Sequence, residues 1–344
     1  MDRHSTRPGR ARQGLRPAAG GRHATDDLLA RAAALFPESR RWCPSCEAPV
    51  GRARDGRPGR LRGTCAHCRH VFDLAPELAP GTVLGGRWTI TGPLARGGDW
   101  LYTADDGERG GSVVVARRRD DDAATPARLL GHGHPALVGL RDVVTTADAV
   151  HLVLEPVHGG PARGPLSPDD AAALVLGVIP AVGHLHGLGL LHADLKPSNV
   201  LRAPDGPVLV DLGSVRRLDD RIAPVWGTEG FLAPEIAPGG AGPSVASEVY
   251  ALGRTLAVLL GRPVRPHLAP RRPVEDPTPL DPVITRATAA DPGLRHADVA
   301  ALGTDLLAAL GVGGTDTADA VHQDDPSRPA APAPAHAPRG AFPT

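Results

Sequence analysis

Between residues 192 and 235 the polar residues fall in an order that few folds can use. The run His192-Ala193-Asp194-Leu195-Lys196-Pro197-Ser198-Asn199 is followed, twelve residues after Asn199 and behind the apolar residues 208–210, by Asp211-Leu212-Gly213. Gly227-Thr228 and Ala233-Pro234-Glu235 come next. Each polar member has a task in phosphoryl transfer: a carboxylate orients a hydroxyl, an ammonium meets the moving phosphoryl, and an amide with a second carboxylate holds magnesium. On that reading Asp194 and Lys196 are the catalytic candidates, and Asn199 and Asp211 are the ligands of Mg2+ and its nucleotide. Lys196 is the only lysine in the chain. Chemistry that needs a side-chain primary ammonium therefore has this one alone, which argues against a loop of merely solvated polar groups.

The 344 residues hold one large domain, a small module and tails. Residues 1–39 read as a disordered basic arm rich in Arg, Gly and Pro, with a short helical pattern at Leu28, Leu29, Ala32, Leu35 and Phe36 that stops at Pro37. All four cysteines lie in 40–75. Strand patterns at 88–91, 100–104, 112–117, 140–145 and 149–154, parted by Gly- and Asp-containing turns, describe a small antiparallel lobe over 84–157. Helical patterns dominate 158–311. Ser167, Pro168 and Asp170 open a helix to about residue 186 that Pro180 should kink. Further helices are expected over 247–260, 281–290 and 297–310, with short strands at 200–201 and 208–209. Residues 312–344 form an Ala/Pro-rich tail expected to be disordered. The class is α+β, strand-rich first and helical second.

Cys43-Pro44-Ser45-Cys46 and Cys65-Ala66-His67-Cys68 make two CxxC pairs with eighteen residues between them. Four thiolates on two tight turns can enclose a tetrahedral ion, with Zn2+ favoured over Fe and a closed, structural site expected. Unligated cysteines or a redox dithiol are the alternatives. Glu47 and Arg69 follow the second cysteine of each pair, where a glycine often eases backbone amides toward sulfur, and this weakens an iron redox reading. Residues 1–70 carry fifteen arginines and no lysine against six acids, yet almost no aromatics, so nucleic acid is disfavoured as the main partner. There is no signal-peptide pattern, and the apolar run 171–182 is too short to span a bilayer. No membrane span and a cytoplasmic location are expected.

These motifs resemble those of Ser/Thr protein kinases, and in particular protein kinase G of mycobacteria and its actinobacterial relatives. The resemblance runs from the CxxC pairs through Leu84-Gly85-Gly86-Arg87-Trp88, Ala95-Arg96-Gly97-Gly98, Val113-Val114-Val115, His134-Pro135, the stretches 194–199 and 211–213, and Gly253-Arg254-Thr255-Leu256. It implies a two-lobed protein-kinase-like fold with a reduced N-lobe, preceded by a rubredoxin- or zinc-ribbon-like module. It further implies ATP and Mg2+ as cofactors, with serine and threonine hydroxyls of proteins as acceptors. Leu154 would guard the adenine pocket, Glu155 and Val157 would offer backbone groups to the adenine edge, and Gly97 and Gly98 would cover the phosphates. Thr228 would bond to Asp194 and Lys196, and Glu235 would pair with Arg295. A protein substrate or signalling partner follows, while nothing assigns the oligomeric state. The helical repeats known in that family are not evident after Leu310, so docking through them is not carried over.

Three departures cluster in the small lobe. The glycine turn at 95–100 is one residue short, and Arg117 stands where the strand lysine belongs. The sixteen residues between Arg117 and His134 contain no glutamate, so the helix C that should supply a carboxylate is truncated or missing, and the ion pair that gates such enzymes cannot form in its usual way. Ala193 replaces the arginine that usually receives an activation-loop phosphate, and 215–226 contain no Ser, Thr or Tyr. Loop phosphorylation is not expected to switch this chain. An atypical, slow serine/threonine kinase and a pseudokinase that binds nucleotide or a partner protein both fit, with the four large-lobe residues favouring activity.

Overall fold

The structure is a computed structural model that describes residues 36–312 apart from 45, 47, 97, 98, 119, 221–226, 237–241 and 264–276. The expected helix ending at Phe36 and the tail beyond 312 fall outside the described residues, as do Gly97 and Gly98.

The cysteine module is built around hydrogen bonds more than apolar bulk. Trp42 and Pro49 form an isolated antiparallel bridge, and β1 (Arg62–Thr64) pairs with β2 (Val71–Asp73). The small core comprises Cys43, Val50, Cys65, Phe72 and Leu74. Arg41 is buried and donates to the carbonyls of Phe36, Gly51 and Gly59 at 2.9–3.2 Å, stitching three turns together. Gly59 is required there, since a Cβ would lie 1.8 Å from the Gly51 carbonyl oxygen.

The small lobe is one antiparallel sheet of β3 (Val83–Leu84), β4 (Trp88–Arg96), β5 (Trp100–Asp106), β6 (Ser112–Arg117), β7 (Leu140–Thr145) and β8 (Val150–Leu154), in the order β3-β4-β5-β6-β8-β7. Alternation sorts the side chains by face. Trp88, Ile90, Trp100, Tyr102, Val113, Val115 and Val153 bury one face with Phe36, whose ring meets Trp100 edge-on at 4.9 Å. Leu101, Val114, Ala116, Leu152 and Leu154 belong to the other, larger core. Between β6 and β7 the only described helix is α1 (Ala124–Ala127), a single turn.

The large lobe contains β9 (Gly160–Pro161), α2 (Pro168–Gly187), β10 (Leu190–Leu191), β11 (Val200–Ala203), β12 (Gly206–Leu209), β13 (Arg216–Arg217), α3 (Val245–Leu259), α4 (Asp281–Ala287) and α5 (Val299–Ala309). Ser167 caps α2 by accepting from the Asp170 N–H at 3.1 Å. The helix continues as one element through Pro180, whose exposed position puts the missing N–H on the solvent side. α2 is long and apolar enough to cross a membrane, but nine of its side chains are buried in the large-lobe core, which accounts for its composition. The lobes are joined where Val138 donates to the Leu209 carbonyl and Leu209 donates to the Ala136 carbonyl, at 2.9 and 2.8 Å.

Candidate active site

The loop after β10 is set by a carboxylate that the sequence reading did not single out. Ala193 has φ +65°, a strained conformation for a residue with a Cβ. Its N–H donates to Glu248 Oε1 at 2.8 Å, and Glu248, buried on α3, also bonds His186 Nε2 at 2.7 Å. His192 Nε2 donates to the Val210 carbonyl, and the Val210 N–H donates back to the Asn199 carbonyl, both at 2.9 Å. These bonds hold 192–199 against 210–213.

On that frame the predicted polar residues meet. Lys196 Nζ donates to Asp194 Oδ2 at 3.1 Å and to Thr228 Oγ1 at 2.8 Å, and Thr228 Oγ1 donates to Asp194 Oδ1 at 2.8 Å. Asn199 Nδ2 donates to the Asp194 carbonyl at 2.7 Å, and Oδ1 is the acceptor of that amide. Asp211 adopts φ +67°, ψ +71° and accepts the Gly213 N–H at 3.3 Å. An amide oxygen and a carboxylate are donors that suit a hard cation such as Mg2+.

A cleft of about 320 Å³ lies between the lobes, lined by Lys196, Ser198, Asn199 and Asp211. Asp194 opens instead onto an adjoining hollow with Gly227, Thr228 and Phe231, and Lys196 bridges the two spaces. Leu101, Val114 and Ala116 above, with Leu201 and Val210 below, make an apolar slot fitted to a flat ring. Leu154, Glu155 and Val157 line its back, and the Glu155 N–H is fixed to the Gly139 carbonyl at 2.8 Å. Trp42, Cys43 and Pro44 of the cysteine module complete the wall, a contribution absent from the sequence reading. Trp42 there stacks with the guanidinium groups of Arg52 and Arg163, each 5.1 Å from its ring centroid.

Arg117 also lines the cleft, and it is not without a carboxylate. Its Nη1 lies 3.0 Å from Glu77 Oε2. Glu77 lies outside the residues between Arg117 and His134, forty residues upstream of the arginine and before the small lobe begins.

Glu235 and Arg295 form a bidentate pair at 2.6 and 2.7 Å. Arg295 is wholly buried, and its remaining donors reach the carbonyls of Ala246, Ala289 and Ala290. Burial would raise the Glu235 carboxyl, but the Arg295 guanidinium outweighs it and holds the group below the usual carboxylate range.

In the cysteine module the four Sγ atoms lie within 4.8 Å of one another, with Cys43–Cys68 at 3.6 Å and Cys46–Cys65 at 3.7 Å. A tetrahedral ion with metal–sulfur bonds of about 2.3 Å needs sulfurs about 3.8 Å apart, so the quartet fits one. Burial pushes the Cys46 thiol up to about 12. It acts to raise Cys68 too, but the His70 N–H and the neighbouring thiols draw that group down to about 6. Four thiols this close resist ionising together, and a cation at their centre favours the thiolate form.

Comparison with known proteins follows the same division. Residues 126–270 match the protein kinase domain, and residues 25–78 match the protein kinase G rubredoxin domain. The chain is 34% identical over 254 residues to serine/threonine-protein kinase PknG of Mycobacterium leprae, covering 65% of this chain and 33% of that protein. It is 33% identical over 302 residues to PknG of Mycolicibacterium smegmatis, covering 80% and 39%. Serine/threonine-protein kinase PkaA of Streptomyces coelicolor is 34% identical over 252 residues, covering 62% and 46%. The chain thus spans less than half the length of these relatives. A mixed α/β protein kinase fold behind a rubredoxin-like module agrees with the two-lobed α+β architecture expected from the sequence.

Proposed function

We propose that this relative of the actinobacterial protein kinase G proteins transfers the γ-phosphoryl group of Mg-ATP to serine or threonine hydroxyls of a protein substrate. The observation that carries the reading is the closed triangle of Asp194, Lys196 and Thr228 at the edge of an apolar interlobe slot. The slot takes the adenine between Ala116 and Leu201, with backbone groups of Glu155 and Val157 along its edge. Asn199 and Asp211 hold the magnesium, which neutralises charge on the phosphates.

Asp194 accepts the proton of the incoming hydroxyl while that oxygen forms its bond to the γ-phosphorus and the bond to the β-phosphate bridging oxygen breaks, releasing ADP. The Lys196 ammonium sits beside the same carboxylate and donates hydrogen bonds to the transferring phosphoryl. Thr228 holds both groups in place before the substrate arrives. The Glu235–Arg295 pair fixes the segment that follows Thr228 to the far end of the large lobe. The cysteine quartet holds one zinc as a closed structural site, because all its ligands come from the protein.

The test is transfer of radiolabel from Mg-ATP to the chain itself or to a generic protein substrate. Wild type incorporates label and Asp211→Asn does not. Equal and negligible transfer by both, with ATP still bound, would leave a nucleotide-binding scaffold.

A further inference from the structure

Glu77 lies neither on a helix nor between β6 and β7, but in the stretch joining the cysteine module to β3. That stretch is pinned at both ends. Leu74 is fully buried in the module core, and its N–H donates to the Leu61 carbonyl at 2.7 Å. Next along, the Ala75 carbonyl accepts from Trp100 Nε1 at 3.0 Å. The N–H groups of Glu77 and Leu78 both donate to the buried Tyr102 hydroxyl, at 2.8 and 3.1 Å. Trp100 and Tyr102 belong to β5, and Tyr102 pairs with Val115 of β6, two residues before Arg117. The backbone at Glu77 is therefore fixed relative to the strand that carries the arginine.

From this anchored position the carboxylate takes Arg117 Nη1 at 3.0 Å. The side chains are 37% and 46% exposed for Arg117 and Glu77, so the pair adds little to stability. Its effect is on direction. The end of β6 abuts the Asp211 loop, since a Cβ on Gly213 would stand 3.7 Å from the Arg117 carbonyl oxygen. The Arg117 Nε–H is shielded from solvent and has no hydrogen-bond partner among the described residues. A guanidinium braced on one side by Glu77 thus keeps donors for an anion in the cleft.

We propose that Glu77 is the positioning residue for Arg117, orienting its guanidinium toward the phosphates of ATP. In protein kinases the strand base takes its carboxylate from helix C; here that helix is one turn, and the segment carrying the metal module supplies the group instead. The inference rests on the phosphotransfer reading of the cleft.

The experiment is a double-mutant cycle on the full chain: wild type, Glu77→Gln, Arg117→Ala and the double variant, each measured for ATP affinity by calorimetry and for KM and kcat in transfer. Positioning predicts that Glu77→Gln weakens ATP binding about threefold, the effect of a half-exposed pair, with kcat little changed. In the Arg117→Ala background the same substitution does not weaken binding. Simple charge works in the opposite direction, because removing an anion beside the phosphates tightens ATP. An unchanged or improved ATP affinity in Glu77→Gln, or the same loss in both backgrounds, overturns the proposal. Bound zinc and the melting midpoint report the fold. Should Glu77→Gln lower either, Glu77→Asp, which keeps the charge but withdraws it from Arg117, reads the same pair. A wild type that binds ATP without transferring phosphate refutes the enzyme reading while the calorimetric cycle still decides the role of Glu77.

Discussion

Replacing Glu235 by Gln tests how the large lobe holds its activation segment. In the wild type two charge-assisted bonds of 2.6 and 2.7 Å link the carboxylate to a guanidinium with no solvent exposure. Glutamine keeps the size and one acceptor, but its NH2 group faces the second guanidinium nitrogen, donor against donor. The buried cation then lacks a counter-ion. Removing one partner of a buried pair costs about 3–5 kcal/mol, and the three backbone carbonyls still on Arg295 favour the lower end. A loss of about 3 kcal/mol is a large share of a total stability of roughly 5–15 kcal/mol, and corresponds to a melting midpoint lowered by about 6–12 °C. The sign of the pH dependence follows from the depressed Glu235 carboxyl. Its stabilisation is complete above the ordinary glutamate pKa and is lost as pH falls through the lower folded-state value. The midpoints of wild type and Glu235→Gln, followed by thermal unfolding, should therefore differ most near neutrality and converge in acid. A difference equivalent to less than about 1 kcal/mol, the range of exposed pairs, or a gap that grows as pH falls, would refute this account.

Other perturbations have equally definite outcomes. Thr228→Val removes the hydroxyl shared by Asp194 and Lys196, and kcat should fall by about tenfold or more with ATP affinity unchanged, as expected for misplaced reacting groups; kinetics at saturating ATP decide it. Glu248→Ala strips the Ala193 N–H and His186 of their acceptor, costing about 1–3 kcal/mol for the orphaned buried amide and lowering transfer as well, measured by urea unfolding beside the activity assay. Metal analysis should find one ion per chain in the wild type and none in the Cys43→Ser, Cys46→Ser variant, and retention of a full equivalent would show that the quartet is not the site.

Residues 192–213 were legible because polar residues there are crowded into one loop and its neighbour, so spacing alone marked Asp194, Lys196, Asn199 and Asp211 as candidates. The CxxC pairs were legible for the same reason, each pair fixing its own tight turn. Strands β6 and β7 came out with their observed bounds since Gly and Asp turns flank them, whereas β4 runs on to Arg96 through Gly92 and Pro93, residues that read as a turn. Glu77, Glu248 and Trp42 were not legible. Each acts across a distance set by tertiary packing, and each looks like an ordinary surface or helical residue in its own segment. The pairing of Glu235 with Arg295, sixty residues apart, was reachable only through resemblance to a family. Arg117 is the instructive case: the residues that follow it in sequence, as far as His134, hold no glutamate, while the fold brings one in from the linker.

Calorimetric titration of ATP in the presence and absence of magnesium tests the convergence on which the account depends. One nucleotide per chain, bound more tightly with magnesium and stripped of that metal dependence in Asp211→Asn, is the predicted result. Binding indifferent to magnesium in the wild type, or no binding at all, would contradict it.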